Sequence, residues 1–170
     1  LISLPVATSA KDPPPRTSLS QEKGDWTKST SAYAVLKRQN VEMTVVTNQA
    51  VDDEQLPGHR AGYSGIAQLR HSRHQANLFV PNYAGINYEH IHDGTTQSRD
   101  ILFEPRRAPM DLRLINKHCV DLYQLPTPHF HLELCLRYEL LPDGVIQMTL
   151  ECIARKDTFS NGYIGLLFAS

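Results

Sequence analysis

The sequence predicts an all-β fold, an antiparallel β-sandwich, from three observations. Short runs alternate apolar with polar residues, the period of a strand with one buried face. Pro, Gly and Asn signals punctuate those runs at short intervals. The one window with a helical period, residues 32–39, spans under three turns and fits a strand equally well. A closed or partly closed β-barrel, cupin-like in its architecture, is the alternative. The chain has 170 residues, which suits one domain able to bury a core without disulfide or metal staples.

The elements follow in order. Residues 1–31 read as a flexible leader or linker rich in Pro and Ser, with Pro13, Pro14 and Pro15 in a row. Residues 1–10 fit the tail of a signal sequence, so a secreted or periplasmic location is expected. Residues 32–170 form a single antiparallel domain. Residues 41–47 alternate and are rich in β-branched side chains, so they form a strand. Residues 63–69 and 76–80 are expected to be short strands. Met110, Leu112 and Leu114 alternate with Asp111 and Arg113, and the strand over 120–124 returns after an Asn116-Lys117-His118 turn. The apolar stretch 162–170 ends without a polar cap, as expected of a domain cut short.

One hairpin fixes its own register. Leu141-Pro142-Asp143-Gly144 matches a type I turn followed by a left-handed glycine, the arrangement of a G1 bulge. With Leu141 opposite Val145, Leu140 faces Ile146, Tyr138 faces Met148, Leu136 faces Leu150 and Leu134 faces Cys152. The other face then pairs Glu139 with Gln147, Arg137 with Thr149 and Cys135 with Glu151. A slip of one residue would place each apolar side chain on the wrong face. Cys135 and Cys152 fall on opposite faces, which rules out a disulfide between them.

Composition excludes several functions. The 17 basic and 18 acidic residues give a net charge of −1 with a pI near 6.8, against a dedicated nucleic-acid binder. Mean hydropathy is −0.37 and no apolar run is long enough for a membrane-spanning helix. Three cysteines at irregular spacing make neither a disulfide framework nor a zinc pattern. Nucleophile-elbow, phosphate-loop and dinucleotide fingerprints are missing from the sequence.

Two clusters hold the candidate chemistry. Residues 77–93 mix Asn, Tyr, Glu and His, the groups that hydrogen-bond sugar hydroxyls and stack on sugar C–H faces. Glu89, His90 and His92 are its candidate catalytic residues, with Asn82 and Tyr88 as substrate contacts. Arg70 and Arg73, from a basic segment that also holds His59, Arg60, His71 and His74, are candidate contacts to an acidic sugar. The second cluster is His129, His131 and Glu133. On a strand, i and i+2 share a face, so these three would form a row able to hold a divalent metal. That row looks like the metal motif of cupins, without the glycines that flank it there. Otherwise no cofactor is expected.

From residue 110 onward the order of motifs resembles the first half of the galactose-mutarotase-like β-supersandwich. It runs Leu122-Tyr123-Gln124, Pro126, Arg137-Tyr138-Glu139-Leu140, Pro142-Asp143-Gly144-Val145-Ile146, Met148-Thr149 and Asn161-Gly162-Tyr163-Ile164-Gly165. The resemblance covers roughly residues 60–170 and lies in layout more than in motif. It implies an incomplete supersandwich that binds carbohydrate on its concave sheet, as epimerases, lyases and glycosidase-associated domains do. The Asn-His-x-x-Phe signature of the epimerases is replaced by Asn161-Gly162-Tyr163-Ile164-Gly165, so no catalytic role carries over. Three functions stay open: a carbohydrate-active domain, a metal-dependent cupin-like enzyme, and a non-catalytic interaction module.

Overall fold

A computed structural model describes residues 16–21 and 24–169. The structure is nearly all β, with 44% strand and 5% helix, and its antiparallel sheets do not close into a barrel. Strands β1 (Thr27–Lys28), β6 (Met110–Asn116), β7 (Cys119–Gln124), β8 (Leu132–Leu140) and β9 (Ile146–Ala154) form a five-stranded sheet in that order. Strands β2 (Tyr33–Arg38), β3 (Val41–Val46) and β4 (Gly65–His71) form a three-stranded meander. A two-stranded ribbon pairs β5 (Asn87–His92) with β10 (Gly165–Ala169). Between β5 and β6 lie the one-turn helix α1 (Arg99–Leu102) and a 3-10 turn, Glu104–Arg106.

The core lies where these sheets face one another. Leu112, Leu122, Leu134, Leu136 and Tyr138 of the large sheet meet Leu36, Met43 and Ile66 of the meander and Tyr88 and Ile91 of the ribbon. An isolated bridge between Ile66 and Gly85 ties meander to ribbon. A second apolar cluster, Val46, Leu56, Ala67 and Ala84, packs beneath the long loops on the meander's other face.

The β8–β9 hairpin has the register that the turn dictates, with all seven expected pairs from Leu140↔Ile146 to Leu134↔Cys152 in place. Leu141 N–H donates to Val145 O at 2.9 Å, and Gly144 sits at φ +81°. All three cysteines are free. Within the window 32–39, Tyr33–Arg38 is strand, because it pairs along its length with β3.

Two expectations need correction. Residues 76–80 form no strand: the Asn77 carboxamide fastens the loop to β4, accepting from Leu69 N–H (2.9 Å) and donating to Ala67 O (3.0 Å). That side chain satisfies backbone groups that a pairing strand would otherwise take. Secondly, part of the segment read as a flexible leader or linker packs on the large sheet. Thr17 and Ser18 are buried there, and Ser18 N–H donates to Asp121 Oδ2 at 2.7 Å. Residues 1–15 and 22–23 of that segment lie outside the described residues.

Candidate functional site

The site is built on an irregularity in β5. His92, Ile91 and His90 pair in step with Gly165, Leu166 and Leu167, but Phe168 then pairs with Tyr88, leaving Glu89 as an extra residue. Such a bulge shifts the phase of the side chains by one. Ile91 and Tyr88 therefore both enter the core, three residues apart, while His90 and His92 share the outer face. Glu89, displaced by the bulge, lies beside His90: its Oε2 is 3.8 Å from His90 Nε2.

The connection from α1 to the 3-10 turn supplies the rest. Phe103 meets the His90 ring edge-on, with centroids 3.7 Å apart. Arg106 donates through Nη1 to Glu89 Oε1 (3.3 Å) and through Nε to Gly62 O (3.0 Å). Its guanidinium also lies 4.2 Å from the Tyr63 ring centroid. Arg99 stacks over Phe103 at 5.0 Å. Together Arg99, Arg106, Arg107 and Phe103 line a cleft of about 320 Å³ beside Gly62. Burial lowers the His90 pKa below its ordinary value, against the opposing pull of Glu89, so the imidazole is neutral at pH 7. Glu89 and His90 stand behind Arg106 and Phe103, and the cleft itself presents the guanidinium groups of Arg99, Arg106 and Arg107, the Phe103 ring and the Asp100 carboxylate. Such a set can accept and donate to hydroxyls and can grip an anionic group.

The other sequence candidates are dispersed. His92 lies over Gly165, where any side chain would collide with its ring. It stays on the β5 face, 6.3 Å from the Tyr163 ring centroid. Arg70 on β4 pairs loosely with Glu42 at 3.6 Å and shares with Asn82 a separate groove of about 210 Å³. Arg73 is exposed in the turn between His71 and His74. Tyr88 is a correction: it is 1% exposed and packs on Phe168 in the core, so it cannot touch a ligand. The bulge that brings Glu89 to His90 is what turns Tyr88 inward.

The His129–His131–Glu133 row does not form on a strand. Residues 128–130 make a turn, β8 starts at Leu132, and His131 takes φ +49°. The buried carboxylate of Glu104 holds that turn, accepting from His129 N–H (2.8 Å) and Phe130 N–H (3.1 Å), while the Phe130 ring stacks on Phe159. Glu133 is engaged elsewhere, with the Tyr123 hydroxyl and Arg155. Among the described residues, no three His, Cys, Asp or Glu side chains are grouped to hold a metal.

Sequence reasoning missed Arg99, Phe103, Arg106 and Arg107. Their signal was there, three arginines around one aromatic within nine residues, but nothing local tied them to Glu89. Compared with known family models, curated proteins and solved structures, the chain matches none. Among the described residues no helix is long and apolar enough to cross a membrane.

Proposed function

We propose that this domain binds a carbohydrate carrying an acid group, in the cleft beside β5. The observation that carries the proposal is the convergence of Arg99, Arg106 and Arg107 on one cleft, with Arg106 anchored from behind by Glu89. Guanidinium groups favour carboxylates through paired charge-assisted hydrogen bonds. The Asp100 carboxylate suits hydroxyls, and the Phe103 ring suits sugar C–H groups. The order of motifs in the sequence, which resembles that of the mutarotase-like supersandwich, suggests the same ligand class. The chemistry asked of the site is binding, with Glu89 and His90 holding Arg106 and Phe103 in place behind it.

Calorimetric titration with trigalacturonate and with maltotriose tests this. The acidic sugar is expected to bind and the neutral one to bind far more weakly. Arg99→Gln removes an exposed guanidinium and should weaken trigalacturonate binding about tenfold or more, the loss of a charge-assisted hydrogen bond. Tyr88→Phe should bind as the wild type does. Equal affinity for both sugars, or no effect of Arg99→Gln, would overturn the proposal.

A further inference from the structure

The outer face of the large sheet carries a second constellation, on the layer opposite β5. Arg113 of β6 lies between two rings, its guanidinium 4.2 Å from the Trp26 centroid and 3.5 Å from that of Tyr123 on β7. It is only 9% exposed, yet no carboxylate lies within ion-pair distance of it among the described residues. Asp121, its partner in the register, is bound to Arg137 by both oxygens and also accepts from Ser18 N–H. Arg113 Nη1 donates to Ser18 Oγ at 3.0 Å, and its Nε has no partner among the described residues. A buried cation without a counter-charge is costly, and two aromatic faces offset only part of that cost.

This cation borders an open cleft of about 520 Å³. Arg155 stands at the same cleft with its side chain 50% exposed, held at the base by Glu133, which in turn accepts from the Tyr123 hydroxyl. Trp26 forms the other wall and is 38% exposed. Gly24 lies at the rim, where a side chain would crowd both Trp26 and Gln21. The cleft therefore combines an indole surface, the outer edge of a guanidinium whose Nε and Nη2 are paired with Glu133, and a buried cation with no ion-pair partner among the described residues.

We propose that Trp26, Arg113 and Arg155 form a second, independent site for a carboxylate-bearing sugar unit. The sugar ring stacks on Trp26, and its carboxylate pairs with Arg155 in the field of Arg113. Occupancy supplies a counter-charge that Arg113 does not receive from the described residues. An acidic polysaccharide could then be held on both outer faces of the sandwich.

Trp26 is the sole tryptophan in the chain, so its fluorescence reports this cleft and not the one at β5. Trigalacturonate should change that fluorescence saturably, and maltotriose should not. Arg155→Ala should weaken the response at least tenfold, and Arg155→Lys, which keeps Glu133 paired but loses the fork, severalfold. Arg99→Gln, at the β5 cleft, should leave the titration unchanged. The two proposals therefore fail separately. A flat titration with trigalacturonate, a full response in both Arg155 variants, a response only to a sulfated trisaccharide, or loss of the response in Arg99→Gln would each overturn this site.

Discussion

At the scale of single residues, the ribbon strand shows what side-chain alternation can and cannot place. His90 and His92 share a face, as the i, i+2 rule requires. The same rule puts Tyr88 beside them, and there it fails, because Glu89 bulges to let Tyr88 reach Phe168. No feature of residues 87–92 announces the bulge, since its cause lies on β10. A second residue, His59, makes a test in pH. It is buried, its Nε2 is 2.9 Å from Tyr63 O, and burial lowers its pKa from the ordinary 6.5. The unfolded chain therefore takes up the proton first as pH falls. His59 contributes stability that is full above pH 6.5 and is lost as pH drops through the folded pKa, and His90 acts with the same sign. Urea unfolding at pH 7 and pH 5 should show that loss, and His59→Gln should reduce it. An identical pH dependence in the variant would refute the assignment.

At the scale of elements, local chemistry determined the β8–β9 hairpin. The Pro142-Asp143-Gly144 turn and the two faces of the strands demand the same pairing, so no distant contact was needed to choose it. Gly144 at φ +81° has only Val41 nearby, at ordinary contact distance, so its role is conformational. Gly144→Val should cost about 1–2 kcal/mol, the strain of a β-branched residue in the left-handed region, read as a lower urea midpoint. An unchanged midpoint would contradict the bulge geometry. Elsewhere tertiary contacts decided. Residues 76–80 have strand-like composition, but Leu78 and Val80 point to solvent and Asn77 ties the loop to β4. The His129–His131 stretch alternates correctly for a strand, yet the distant carboxylate of Glu104 folds it into a turn.

At the scale of the whole molecule, the main surprise is the outer face of the large sheet. Alternation marks it as polar, and a polar face normally meets water. Here residues 16–21 cover it. Thr17 and Ser20 donate to Glu151, Ser18 N–H donates to Asp121, and Arg137 donates to Arg16 O. The Asp121–Arg137 pair beneath is bidentate, at 2.7 and 3.0 Å, with Asp121 fully buried. Asp121→Ala would leave a buried guanidinium unpaired and should cost about 3–5 kcal/mol in urea unfolding. It should also raise amide exchange at Ser18. A loss below about 1 kcal/mol, the range of exposed pairs, would show that this face is wet. The sequence by itself determined the all-β class, the hairpin register and the shared face of His90 and His92, because each follows from a repeat of two residues and a turn. Only the tertiary structure decided that Arg106 meets Glu89, that Tyr88 turns inward, and that a Ser/Thr-rich stretch seals a charged face. Those outcomes depend on contacts between residues far apart in the chain, which leave no local pattern to read.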